Sequence, residues 1–72
     1  ASHAIFEVEV PEEWVGKTVG GLDIRKRYNI NILAVKNEEE FSIEISTYTY
    51  FEENHKLLVL GEYRALQKCF RI

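Results

Sequence analysis

Several residue types that would narrow a function are scarce in this 72-residue chain. It has one cysteine, Cys69, which excludes an internal disulfide framework and any cysteine-rich zinc site and fits a reducing compartment. It has one proline, so it is no proline-rich linker. No apolar run exceeds five residues, far short of the roughly 20 needed to cross a bilayer as a helix. No secretory signal pattern is found. Basic residues are the minority sign: nine against twelve acidic ones, for a net charge of −3, which argues against general nucleic-acid binding.

What is present is a length suited to one domain with one small core. Area burial and chain entropy nearly cancel at this size, so such a domain leans on a metal, a disulfide or a partner surface. With the first two unsupported, self-association or excision from a longer chain remains. Residues 1–4 read as a linker or cloning remnant and the domain as residues 5–72.

Hydrophobic periodicity orders the chain. Ile5–Val10 alternates, with Phe6, Val8 and Val10 on one side, and Pro11 ends the strand. Trp14 and Val15 are expected to fold back onto the core. Thr18 suits a helix N-cap. The apolar spacing then slips between Leu22 and Ile24, and Gly20 and Gly21 weaken the first turn, which predicts two short helices broken near Asp23 and stopped at Asn29. Ile30–Val35 reads as a strand buried on both faces. Asn37–Glu40 is a turn, and Phe41, Ile43 and Ile45 alternate as a half-exposed strand. Thr47–Phe51 either extends that strand or forms an arm. Glu52–His55 is a turn, Leu57–Leu60 the last strand, and Tyr63, Leu66 and Phe70 the face of a closing helix. The class is α+β: a small β-α-β-β-β-α domain with a mainly antiparallel sheet.

No enzyme is written in these residues. His3 lies at the chain start and His55 in a turn, where a surface histidine is expected. Cys69 falls beside Leu66 and Phe70 as a small buried hydrophobe, with no basic partner nearby in sequence to make it a nucleophile. Glu38–Glu40 and Glu52–Glu53 lack the spacing of a calcium loop and read as solvated turns. The glycines from Gly16 to Gly21 surround Lys17-Thr18, but the Walker order is absent. Arg25-Lys26-Arg27 is the sole basic cluster. Lys26 and Arg27 read as a solvated helix face, while Arg25 can converge with Asp23 and Asn31 on one pocket, where a guanidinium fork suits phosphate or a purine edge.

Val15-Gly16-Lys17-Thr18, Leu22-Asp23-Ile24-Arg25, Tyr28 to Lys36 and Leu57 to Gly61, in that order, resemble the C-terminal domain of the regulators of potassium conductance, the RCK-C or TrkA-C family. The chain departs at Asn54-His55, where most members have Gly-Asp, and lacks the proline that many carry near Thr47. The resemblance implies a cytoplasmic two-fold homodimer, attached to an N-terminal Rossmann-type nucleotide-binding domain and peripheral to a membrane potassium channel or transporter, with no nucleic-acid partner. It implies no cofactor within the domain, and cyclic di-AMP as regulatory ligand in the dimer cleft. Carried over by motif, the contacts are Val19, Gly20, Asp23, Arg25, Ile30, Asn31 and Thr47. The competing reading is a ligand-free structural dimerisation module of a cation transporter or antiporter regulator.

Overall fold

The computed structural model describes residues 2–72. Strand β1 (His3–Glu9) leads through a 3-10 turn (Glu12–Trp14) to helices α1 (Val19–Leu22) and α2 (Ile24–Tyr28). Strands β2 (Ile30–Asn37), β3 (Glu40–Ser42) and β4 (Lys56–Glu62) follow, then helix α3 (Tyr63–Cys69). All pairings are antiparallel and the sheet order is β1-β4-β2-β3. β1 starts at His3, two residues before the alternating segment.

Local chemistry explains the breaks. The Thr18 hydroxyl accepts from the Gly21 N–H at 3.0 Å and caps α1. Asp23 (φ 52°) and Asn29 (φ 57°) adopt left-handed backbone, which ends α1 and α2 where the apolar spacing slipped. The helices cover one face of the sheet. There Leu57, Val59, Ile30 and Val35 meet Leu22, Ile24, Leu66 and Phe70. Trp14 lies at the centre of an aromatic cluster, with ring centroids 5.3 Å from Phe51, 5.4 Å from Phe70 and 5.7 Å from Tyr28.

Four expectations need correction. β2 is not covered on both faces: Ile30, Ile32 and Val35 point to the helices, but the opposite face carries no second layer. The register slips between Ile32 and Ala34, so Leu33 is an extra, bulged residue and the strand changes phase. The third strand stops at Ser42, leaving Ile43 79% exposed. From Ile43 the chain leaves the sheet to reach the start of α1. Val15 stays exposed while Trp14 is buried. His55 is not a surface residue: its side chain is 13% exposed, Nε2 lies 3.2 Å from a Glu52 carboxylate oxygen, and Nδ1 is buried without a partner.

Candidate functional site

The segment Thr47–Phe51 is an arm, and its route is set by backbone donors. A helix start leaves its first N–H groups without helical partners. Here the arm supplies them: Val19 N–H donates to the Thr49 carbonyl at 2.9 Å and Gly20 N–H to the Thr47 carbonyl at 2.8 Å. Phe51 N–H donates to the Lys17 carbonyl, Gly16 N–H to the Phe51 carbonyl, and the fully buried Phe51 side chain anchors the end. The approach is so close that a Cβ on Gly20 would lie 2.8 Å from the Thr47 oxygen. Gly20 is therefore required for the arm to dock, and its contact is with Thr47 rather than open space. The turn at the tip is braced by Ser46 N–H to Thr49 Oγ1 (2.9 Å) and Tyr48 N–H to Ser46 Oγ (3.1 Å). That turn presents Tyr48 at 87% exposure, a residue that β propensity alone did not single out.

The seven expected site residues fall into three places. Val19, Gly20 and Thr47 meet where α1 and the arm join. Asp23 and Arg25 stand exposed at the α1–α2 junction, and among the described residues neither makes an ion pair. Asn31 is half-buried opposite Leu60, on the helix-free face of the sheet. Ile30 is the exception. It is 1% exposed and faces the core opposite Gly61, whose missing side chain leaves room for it beneath Leu66. Its side chain cannot cover a ligand in this protomer.

The helix-free face was partly legible in the continuous run Leu57–Leu60, since a strand apolar in both phases asks for cover on both sides. Leu58 and Leu60 lie half-buried there, beside Ile5, which is 56% exposed, and the small buried Ala34. Charge closes one end of this face: Glu7 lies 3.7 Å from Lys36 and 3.9 Å from Lys56, and the Lys36 ammonium sits 5.3 Å from the Phe41 ring centre. Arg25 and Asn31 line neither the cleft between β1 and the end of α3 nor the depression beside it.

No catalytic constellation joins these residues. Among the described residues no three His, Cys, Asp or Glu side chains cluster to hold a metal ion. Among the described residues no helix is long and apolar enough to cross a membrane. The Cys69 thiol is pushed up to about 11 by partial burial and, secondarily, by the Glu13 carboxylate, so it stays protonated near neutrality.

The TrkA-C domain family model matches residues 3–72, all of the described chain but Ser2. The chain is a TrkA-C domain. Such domains are the regulatory RCK-C domains of potassium transport proteins. This TrkA-C domain is 33% identical over 64 residues to the K(+)/H(+) antiporter subunit KhtT of Bacillus subtilis (strain 168), covering 88% of the chain and 39% of KhtT. It thus spans well under half of that curated relative. Among solved structures it resembles the RCK C domain of the potassium transport protein KtrA in complex with cyclic di-AMP. The TM-score is 0.83 and the identity 33%, covering 93% of this chain and 79% of that one. The RCK_C domain dimer of S. agalactiae BusR, also in complex with cyclic di-AMP, shares the fold at TM-score 0.77 and 20% identity, covering 89% of this chain and 87% of that one. The α+β class and the family resemblance read from the sequence both hold.

Proposed function

We propose that this TrkA-C domain forms a two-fold dimer that binds cyclic di-AMP between its protomers and thereby controls a potassium transporter. The observation that carries the reading is the 33% identity and 0.83 TM-score to the KtrA domain complexed with that ligand. The site chemistry supports it. Arg25 is exposed and free of ion pairs among the described residues, and Asn31 lies at the rim of an apolar face that lacks cover. A second copy placed on that face doubles both groups about the two-fold axis, matching a ligand with two phosphates and two bases. Arg25 supplies a fork for phosphate, Asn31 bonds a base edge, and Val19, Thr47 and Asp23 complete the wall. The Ile30 backbone and Gly20 position these groups without side-chain contact.

The domain acts by binding and not by bond-breaking. A ligand that prefers one arrangement of the two protomers shifts the attached regulator by its differential affinity for that arrangement. The full protein then carries a nucleotide-binding domain before this one and works on the cytoplasmic side of the membrane, peripheral to the transporter.

Calorimetry with cyclic di-AMP tests the reading. One ligand should bind per pair of chains. Arg25→Ala should weaken binding by about tenfold or more, the scale of one lost charge-assisted hydrogen bond, while Lys26→Ala does much less. Light scattering should give twice the 8.4 kDa chain mass. A dimer with no heat of binding would leave the ligand-free structural module as the function, and a monomer at high concentration would overturn both.

A further inference from the structure

The free edge of β1 opens onto a cleft that the ligand reading does not use. The Tyr63 N–H donates to the Ser2 carbonyl at 2.9 Å, which fixes the phase of the β1–β4 ladder. Ala4, Phe6 and Val8 exchange hydrogen bonds with Gly61, Val59 and Leu57, while Ile5, Glu7 and Glu9 direct their N–H and C=O groups away from β4. Among the described residues no other strand lies on that side. Alongside runs a cleft of about 660 Å³ between Glu7–Glu13 and the end of α3 with residues 70–72.

We propose that this edge and cleft receive an extended cationic peptide segment, which adds to the sheet as a strand antiparallel or parallel to β1. The unpaired backbone groups supply its hydrogen bonds. Side chains alternate along a strand, so one set of the peptide's side chains meets the exposed Ile72 and the outer edges of the buried Val8, Val10 and Phe70. The other set meets carboxylates. Glu9, Glu12 and Glu13 line the cleft against Lys68 and Arg71, and the adjoining depression adds Glu53 with no cation. Counted with Glu7 and both of its lysines, five carboxylates stand against four cations, so one negative charge is left in excess, gathered at Glu12, Glu13 and Glu53 away from Lys36 and Lys56.

Charge selects the occupant. A second copy's β1 would bring its own Glu7 and Glu9 against these acids, so the edge is protected from self-pairing but not from a lysine- or arginine-bearing strand. Such segments flank membrane-spanning helices on the cytoplasmic side. Assigning the segment to a membrane transporter rests on the regulatory reading above, whereas the site rests on the geometry alone.

The test is a titration of the isotope-labelled domain with a synthetic peptide of about eight residues alternating lysine and valine, against the same peptide with glutamate for lysine. The amides of Ile5, Glu7 and Glu9 should shift and gain exchange protection with the lysine peptide only. Glu9→Lys with Glu12→Lys should weaken binding by about tenfold or more. Glu7→Pro removes one outward N–H and no bond to β4, so it should abolish binding with the fold intact, while Glu7→Gln retains it. Shifts confined to another surface, equal binding of the glutamate peptide, or full binding by the charge-reversed variant would overturn the proposal. So would concentration-dependent protection of these amides without peptide, which would give the edge to a second copy. Cyclic di-AMP binding, measured in parallel, fails or holds independently of these outcomes.

Discussion

The two faces of the sheet differ in what completes them. On one, α2, α3, Trp14 and Phe51 close over Leu57 and Val59, and no side chain there waits for a partner. On the other, Leu58, Leu60 and Ile5 lie open beside Asn31, with one charged network at the far end. Neighbouring residues of one strand therefore differ in their surroundings: Leu57 is fully buried in the protomer's core, and Leu58 is half-buried on the face without helices. An apolar face left without helices is where the proposed second protomer would sit.

The largest effect should come from splitting that strand. Leu57→Ala should cost about 2–5 kcal/mol by denaturant unfolding, enough to unfold much of so small a domain. Leu58→Ala should cost less than half as much at low concentration, yet lower the self-association measured by light scattering. Equal stability losses at every concentration would break the distinction between the faces.

Gly20→Ala comes next. Its Cβ would press on the Thr47 oxygen and Cβ, so the arm must give way at a cost of about 1–3 kcal/mol. A helix glycine replaced by alanine normally stabilises, so a gain of stability on thermal melting would show that the arm is not held where it lies.

The smallest effect belongs to Cys69. Its pKa in the folded chain is raised from 9.0 to about 11, first by burial and then by Glu13. A thiol raised in this way contributes stability below its unfolded pKa and loses it as pH climbs through the folded value. The melting temperature should therefore fall more steeply between pH 9.0 and about 11 in the wild type than in Cys69→Ala, and thiol alkylation at pH 8 should be far slower than in the unfolded chain. Parallel pH curves would refute this.

What the sequence made legible was local. Thr18, Asp23 and Asn29 act through their own side chains and backbone, so capping and left-handed termini could be read directly. Two features depend on distant residues and could not. Inside Ile30–Val35 the bulge at Leu33 reverses the phase, and a continuous apolar run hides such a reversal. Ile30 enters the expected contacts through the family motif, which does not say which face of the strand its side chain takes; it lies in the core. The arm was left between two readings because its β propensity is satisfied by a helix start and not by a strand: only the isolated Thr18–Tyr50 bridge resembles sheet pairing. For the site itself, Arg25 and Asn31 stand out by charge and motif, while the exposed face beside Asn31 follows from the fold.

α1 has four residues, two of them glycine, and could not persist in water as a free helix. Its first amides are held by carbonyls from a segment almost thirty residues further along the chain. Helix and arm are therefore one cooperative unit of opening: neither releases its protons to solvent without the other, and a contact that tightens Val19 also slows exchange at the far end of the arm.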